Sequence, residues 1–319
     1  MSHRGRVICI GGGDELRAHA DVFSLAIENG RIVVNPLPSL PGAVLKMGGA
    51  LLGDTVYVVG GRDGPLSVGA SRTLWALDLS RPPHHQRWAD LPECPGPGRM
   101  MPIAAAARGA LYVFGGIEIV ADQQGRPKNA APYLRDAYRF VPAAGSGTGK
   151  WEKLADIPQP LAGAPSPAWS FDADTITVFG GVDGAIEAIA DRGSIRELPG
   201  QVLSYHIAQN CWTNDGQMPA AEIRVNAPTV AWRDGCVIIS GENLPARRTN
   251  ACTLVTSVPA KKQRRRGPLR EQRDRRKSPR SRAGLRKPGF VRPVPQLVLM
   301  RGLVSEFSLH AAFTSRDGS

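Results

Sequence analysis

The sequence contains no run of apolar residues close to the roughly 18 that a membrane-spanning helix needs. Near the N-terminus the only apolar stretch is Val7 to Ile10, which is strand-sized and too short for the core of a secretory signal. As written, the chain reads as soluble, and a periplasmic location would require a longer N-terminus than this one. Cysteines are few: Cys9, Cys94, Cys211, Cys236 and Cys252 form no CxxC pair and show no Cys/His ligand spacing. A zinc site and a disulfide framework are therefore not indicated, and buried, inert thiols are expected. Helical periodicity is nowhere sustained. The glycines at 11, 12 and 13 lack the last glycine of a GxGxxG loop, which removes the nucleotide-binding reading. His84 and His85 sit in a proline-rich loop with no third ligand nearby. No cofactor and no metal are called for.

The net charge of +12 suggests nucleic acid until its distribution is considered. Between Lys261 and Arg292 stand 15 Lys/Arg against two acids, Glu271 and Asp274, whereas residues 1–260 carry 23 basic and 24 acidic side chains. The body is near neutral and the basicity is an appendage. Its cations lack interleaved aromatics, so they would give salt-sensitive, unspecific attraction to polyanions and no specific nucleic-acid recognition.

The body repeats. An apolar run ending in a glycine pair occurs as VICIGG (7–12), VYVVGG (56–61), LYVFGG (111–116) and ITVFGG (176–181), and in degenerate form as VIISG (237–241). The first glycines stand at 11, 60, 115 and 180, with Ser240 in the fifth place, so the spacing runs from 49 to 65 residues. A small-residue strand and a polar turn precede the run, as in Gly48 to Asp54 and Thr229 to Gly235. After it come a loop, a third strand (74–78, 137–140, 202–205) and a fourth strand with a tryptophan (Trp88, Trp151, Trp212) that ends at a proline turn. Four short strands per unit at this period predict one four-stranded sheet per repeat, arranged radially as the blades of a β-propeller. The paired glycines supply positive φ where the second strand leaves the sheet.

This four-part order resembles the kelch repeat family over residues 5–257. Within that family, PGPGR (95–99), leading through an alanine-rich strand to LYVFGG, and GENLPARRT (241–249) resemble the bacterial N-acetylneuraminate epimerase (sialic acid mutarotase) group. The resemblance implies an all-β, kelch-type propeller of six blades. Five units are recognisable here, and both ends are ragged: the first unit opens on its second strand at Val7, and the fifth stops after its third strand at Thr256. Either another chain or an unrecognised segment supplies the missing strands, or the reading frame is an incomplete copy of a longer gene. The expected organisation is a propeller at 1–257 and a basic, low-order tail at 258–319. All six Trp and all five Tyr precede residue 233, so the tail lacks the means to bury a core.

In such a blade the loop before the first strand and the loop after the second emerge on the same face. Arg99 lies in the former kind of loop, Glu242 and Arg248 in the latter. The resemblance matches Glu242 and Arg248 to the catalytic pair of the epimerase-type motif and Arg99 to the arginine of its preceding-strand motif. It implies interconversion of the anomers of an acidic monosaccharide, with Glu242 moving protons and Arg248 and Arg99 holding a carboxylate. Asp14, Arg62, Asp63, Glu118 and Asp183 also follow glycine pairs and are candidates to line the channel or to serve as turn residues. A copper centre like that of galactose oxidase, also a kelch propeller, cannot be assembled from these residues. Two other readings stand beside the enzyme: a Glu–Arg ion pair between blades, and a non-catalytic kelch module binding a glycan or a protein partner.

Overall fold

The computed structural model describes residues 1–126, 132–143, 147–189, 191–257 and 297–302. They form a five-bladed β-propeller in which each blade is a four-stranded antiparallel meander. The first blade comprises β1 (Ser2–His3), β2 (Arg6–Ile10), β3 (Val22–Glu28) and β4 (Arg31–Leu37). The second comprises β5 (Gly48–Leu52), β6 (Thr55–Val59), β7 (Leu74–Asp78) and β8 (Trp88–Leu91). In the third are β9 (Ile103–Ala107), β10 (Ala110–Ile117), β11 (Tyr133–Val141) and β12 (Lys150–Lys153). The fourth contains β13 (Trp169–Asp172), β14 (Thr175–Phe179), β15 (Gln201–His206) and β16 (Cys211–Gln217). The fifth contains β17 (Thr229–Trp232) and β18 (Gly235–Ile239), then a small separate hairpin, β19 (Glu242–Leu244) and β20 (Arg247–Arg248), before β21 (Cys252–Ser257) and β22 (Leu297–Gly302) complete the sheet.

Both ends differ from the sequence-based expectation. The first unit does have a first strand, Ser2–His3, paired through Ser2 with Val7 and His3 with Arg6. Two residues are too few to show a pattern. The fifth sheet gains its fourth strand from Leu297–Gly302, registered with Cys252–Ser257 across the basic segment. These six residues fall within the expected tail; the rest of that segment lies outside the described residues.

The second strands of blades two to four read as continuously apolar because both of their faces are buried, and period-two alternation divides their side chains between two neighbours. In β6, Val56 and Val58 pack with Ile8 and Val22 of the first blade, while Tyr57 and Val59 pack with Leu111 and Phe140 of the third. In β10, Tyr112 and Phe114 turn to Ile176 and Tyr205 of the fourth. Phe179 of β14 joins Cys236, Ile238 and Val255 of the fifth. Among the described residues no core cluster joins the fifth blade to the first. Val7, Ile27 and Val34 of blade one and Trp232 of blade five are exposed.

The repeated motif residues are inter-blade fasteners. Each fourth-strand tryptophan donates its indole N–H to the turn that ends the preceding blade: Trp88 to Pro38 O (2.8 Å), Trp151 to Pro92 O (2.7 Å) and Trp212 to Ala155 O (3.0 Å). In three of the four pairs the second glycine reaches forward, Gly12 N–H to Val44 O (2.9 Å), Gly61 N–H to Arg99 O (2.8 Å) and Gly116 N–H to Leu161 O (2.9 Å). This closeness makes the glycines obligatory beyond their φ values. Gly115 has φ +54°, and a Cβ there would overlap the Leu161 carbonyl oxygen, which is backbone and cannot swing aside.

Of the thiols, Cys94 and Cys236 are buried, and burial pushes their pKa up to about 11 and about 12. Cys211 is exposed and the other two are half-buried, so the expectation of buried thiols holds for only two of the five.

Gly115→Ala is expected to cost more than about 3 kcal/mol, combining left-handed strain with the overlap. Gly53→Ala, in an open turn with nothing near a Cβ, should lose only the φ penalty of about 1–2 kcal/mol. Denaturant unfolding of both variants checks this; equal losses would remove the close-approach argument.

Candidate functional site

Four of the five blades place a left-handed residue just before their first strand: Lys46 (φ 56°), Met101 (φ 55°), Gly163 (φ 64°) and Asn226 (φ 54°). They are linked in series by backbone hydrogen bonds. Met101 N–H donates to Lys46 O (2.6 Å), Gly163 N–H to Met101 O (3.0 Å) and Asn226 N–H to Gly163 O (2.8 Å). The residue preceding each of these forms an isolated antiparallel bridge to the residue after its blade's glycine pair: Leu45 to Arg62, Met100 to Ile117, Ala162 to Val182 and Val225 to Glu242. Arg62, Ile117, Val182 and Glu242 are thus equivalent positions around the propeller.

Glu242 is fixed there by reciprocal bonds, its N–H to Val225 O (2.8 Å) and Val225 N–H to its own O (2.9 Å). Its carboxylate Oε1 accepts from the side-chain amide of Asn226 at 3.1 Å. The β19–β20 hairpin then sets Arg248 directly opposite Glu242 in register. That hairpin is tied at its base by Thr249 N–H to Gly241 O (3.0 Å) and Ser240 Oγ to Thr249 O (2.7 Å). Glu242 is half-buried and Arg248 exposed. No ion pair joins the two among the described residues.

Both residues line a cavity of about 670 Å³ at the propeller axis, together with Asp14, Lys46, Arg62 and Asn226. That size suits a monosaccharide or a somewhat larger ligand. A smaller apolar recess of about 200 Å³, walled by Met100, Ile117, Tyr133 and Leu244, adjoins it and shares Lys46, Asn226 and Glu242. Polar groups therefore meet an apolar wall at Glu242. Burial pushes the Arg62 guanidinium below its ordinary pKa. Among the described residues no three His, Cys, Asp or Glu side chains are grouped as metal ligands.

Arg99 is elsewhere, which corrects the expectation that it holds a substrate carboxylate. It is 0% exposed and lines neither cavity. Its guanidinium grips Asp136 through two bonds (2.8 and 2.9 Å), donates to Gly115 O (3.0 Å) and Pro95 O (2.9 Å), and lies 5.5 Å from the Tyr138 ring centroid. The repeat explains the error. Arg99 precedes the bridging residue of its blade, as do Val44, Leu161 and Arg224, and all four are buried. The loop emerges on the ligand face, but this position within it points into the blades. Asp63 and Asp183 are turn residues, accepting from Ser67 Oγ and from the Ala185 N–H respectively. Sequence reading missed Asn226, whose only signal is the preference of asparagine for left-handed backbone, and Lys46, which has none.

Comparison with known proteins agrees with the fold. The N-acetylneuraminate epimerase family model matches residues 37–189, a stretch that ends before the Glu242–Arg248 hairpin. An N-acetylneuraminate epimerase from Haemophilus influenzae is 30% identical over 233 residues, covering 66% of this chain and 57% of the relative. One from Pasteurella multocida is 29% identical over 245 residues, covering 69% and 58%. The solved structure of YjhT superposes with a TM-score of 0.51 at 24% identity, over 68% of this chain and 64% of that one, and shows the same fold. The chain spans between half and two thirds of the length of these relatives.

If Arg99 is an internal brace, Arg99→Ala should cost about 3–5 kcal/mol by stranding Asp136. Arg248→Ala should change stability by less than about 1 kcal/mol. Urea titration of the two variants checks this, and similar stabilities would contradict it. By fold and by sequence, the chain is a five-bladed β-propeller similar to the N-acetylneuraminate epimerases.

Proposed function

We propose that the chain is a mutarotase that interconverts the anomers of N-acetylneuraminate or a related acidic sugar. The observation carrying this reading is the pairing of Glu242 and Arg248 across one hairpin on the wall of the axial cavity. Mutarotation requires the anomeric hydroxyl to lose a proton while the ring oxygen gains one. The C2–O6 bond then breaks, C2 becomes a ketone, and reclosure on the other face of that carbonyl gives the second anomer. Atoms and charge balance with a single carboxylate that takes one proton and returns it. Asn226 engages Oε1 of Glu242, so Oε2 is the oxygen assigned to that exchange. Arg248 grips the sugar's C1 carboxylate with its planar fork, so that rotation after ring opening leaves the acid group in place. The apolar recess beside Glu242 receives less polar parts of the sugar.

The family similarity supports the substrate class, and the donor set supports the reaction. No step calls for a redox centre or a nucleotide.

NMR of freshly released α-anomer follows the approach to equilibrium. Glu242→Gln should remove about 10²–10⁴-fold of the acceleration while leaving binding within a few-fold. Arg248→Ala should instead weaken binding, roughly 10- to 100-fold for a lost charge-assisted contact. A folded protein that binds the sugar without exceeding the spontaneous rate would make the chain a glycan-binding module.

A further inference from the structure

The position after the glycine pair is the same structural site in every blade, yet its occupants differ in kind. Blades three and four place Ile117 and Val182 there, both only 4% exposed and both packed into the core. Blade one has Gly13. Only blades two and five use charge, Arg62 and Glu242. The fold is satisfied by an aliphatic side chain at this position, so neither charge is required for the blade to form.

Arg62 is held by reciprocal backbone bonds with Leu45, its N–H to Leu45 O at 3.0 Å and Leu45 N–H to its O at 2.9 Å. Its side chain is half-buried, and its Nε is buried without a hydrogen-bond partner. No carboxylate stands within ion-pair distance of its guanidinium among the described residues. Leaving a buried donor of a charged group unsatisfied is unfavourable, and Ile or Val at the equivalent sites avoids it. The group faces the same cavity as Glu242 and Arg248. Arg99, with its own carboxylate at Asp136, shows how this protein satisfies an arginine whose role is internal.

From this we propose that Arg62 is a specificity-determining residue of the axial cavity, donating to the carboxylate of the bound sugar acid from the blade-two wall while Arg248 does so from blade five. This rests on the acidic-sugar reading above and gives a role to one of the residues that follow a glycine pair, outside the GENLPARRT segment. The cavity then selects acids over neutral sugars through two arginines carried by different blades, with Glu242 free to work on the anomeric centre.

The test is calorimetric binding of N-acetylneuraminate and of its uncharged methyl ester to wild type, Arg62→Met and Arg62→Lys, with thermal melts and anomer exchange measured on the same samples. Methionine keeps the aliphatic stem and removes the orphaned donor. The expected result is at least tenfold weaker binding of the acid by Arg62→Met, ester binding unchanged, partial recovery in Arg62→Lys, and a melting temperature equal to or above wild type. Unchanged acid binding by Arg62→Met would overturn the proposal while leaving the mutarotase reading intact. A lower melting temperature with equal loss for acid and ester would also overturn it, making Arg62 a structural residue. Loss of acid selectivity in a protein that never accelerates anomer exchange would keep Arg62's role and remove the mutarotase reading. A wild type that binds no acid would remove both.

Discussion

The series of backbone hydrogen bonds from Lys46 through Met101 and Gly163 to Asn226 fixes everything that lies at the axis. Each bond joins one blade to the next at the narrowest part of the wedge, where side chains have least room. Each depends on a left-handed residue whose carbonyl accepts from the following blade, and Lys46, Met101, Gly163 and Asn226 all line the cavity. Because bridging pairs sit one residue before these turns, the belt also sets the depth at which Arg62, Ile117, Val182 and Glu242 stand. Glycine pairs and tryptophan N–H groups hold the wedge farther out; the belt determines what a ligand meets.

Repetition at this level turns differences between blades into functional information. Equivalent positions share a backbone and a direction, so a change of chemistry at one of them reflects something other than the fold. Asn226 beside Glu242 and Lys46 beside Arg62 make two polar pairs in a belt otherwise lined by Met101, Gly163, Ile117 and Val182. The first pair presents a carboxylate oriented by an amide. In the second, an arginine has a buried Nε without a partner. A sugar acid is complementary to that arrangement, with one group that exchanges protons and another that carries fixed negative charge. Affinity would be modest per contact and specificity high, because charge-assisted bonds in a partly dry cavity are weakened sharply by an uncharged analogue.

The blades were legible in the sequence because their signal is redundant. Apolar second strands, paired glycines and a late tryptophan recur in order, and each proved to make a contact between neighbouring blades. Strands without such redundancy were not legible. Ser2–His3 is two residues long, and Leu297–Gly302 pairs with a strand that ends forty residues earlier. Glu242 and Arg248 were found through the GENLPARRT segment and do share one cavity wall. Arg99 came from the same kind of reasoning and is a buried brace, because loop position indicates which face a residue is near but not which way its side chain turns. Asn226 and Lys46 carry no motif; only the left-handed backbone directs them inward.

The central claim is that an acidic sugar occupies the axial cavity with its anomeric centre at Glu242. A structure of the chain with N-acetylneuraminate bound tests this most directly. The account predicts the anomeric oxygen at about 2.6–3.2 Å from Glu242 Oε2, with the carboxylate on arginine. A sugar bound on the outer blade surface, or one with its carboxylate turned away from Arg248 and Arg62, would contradict it.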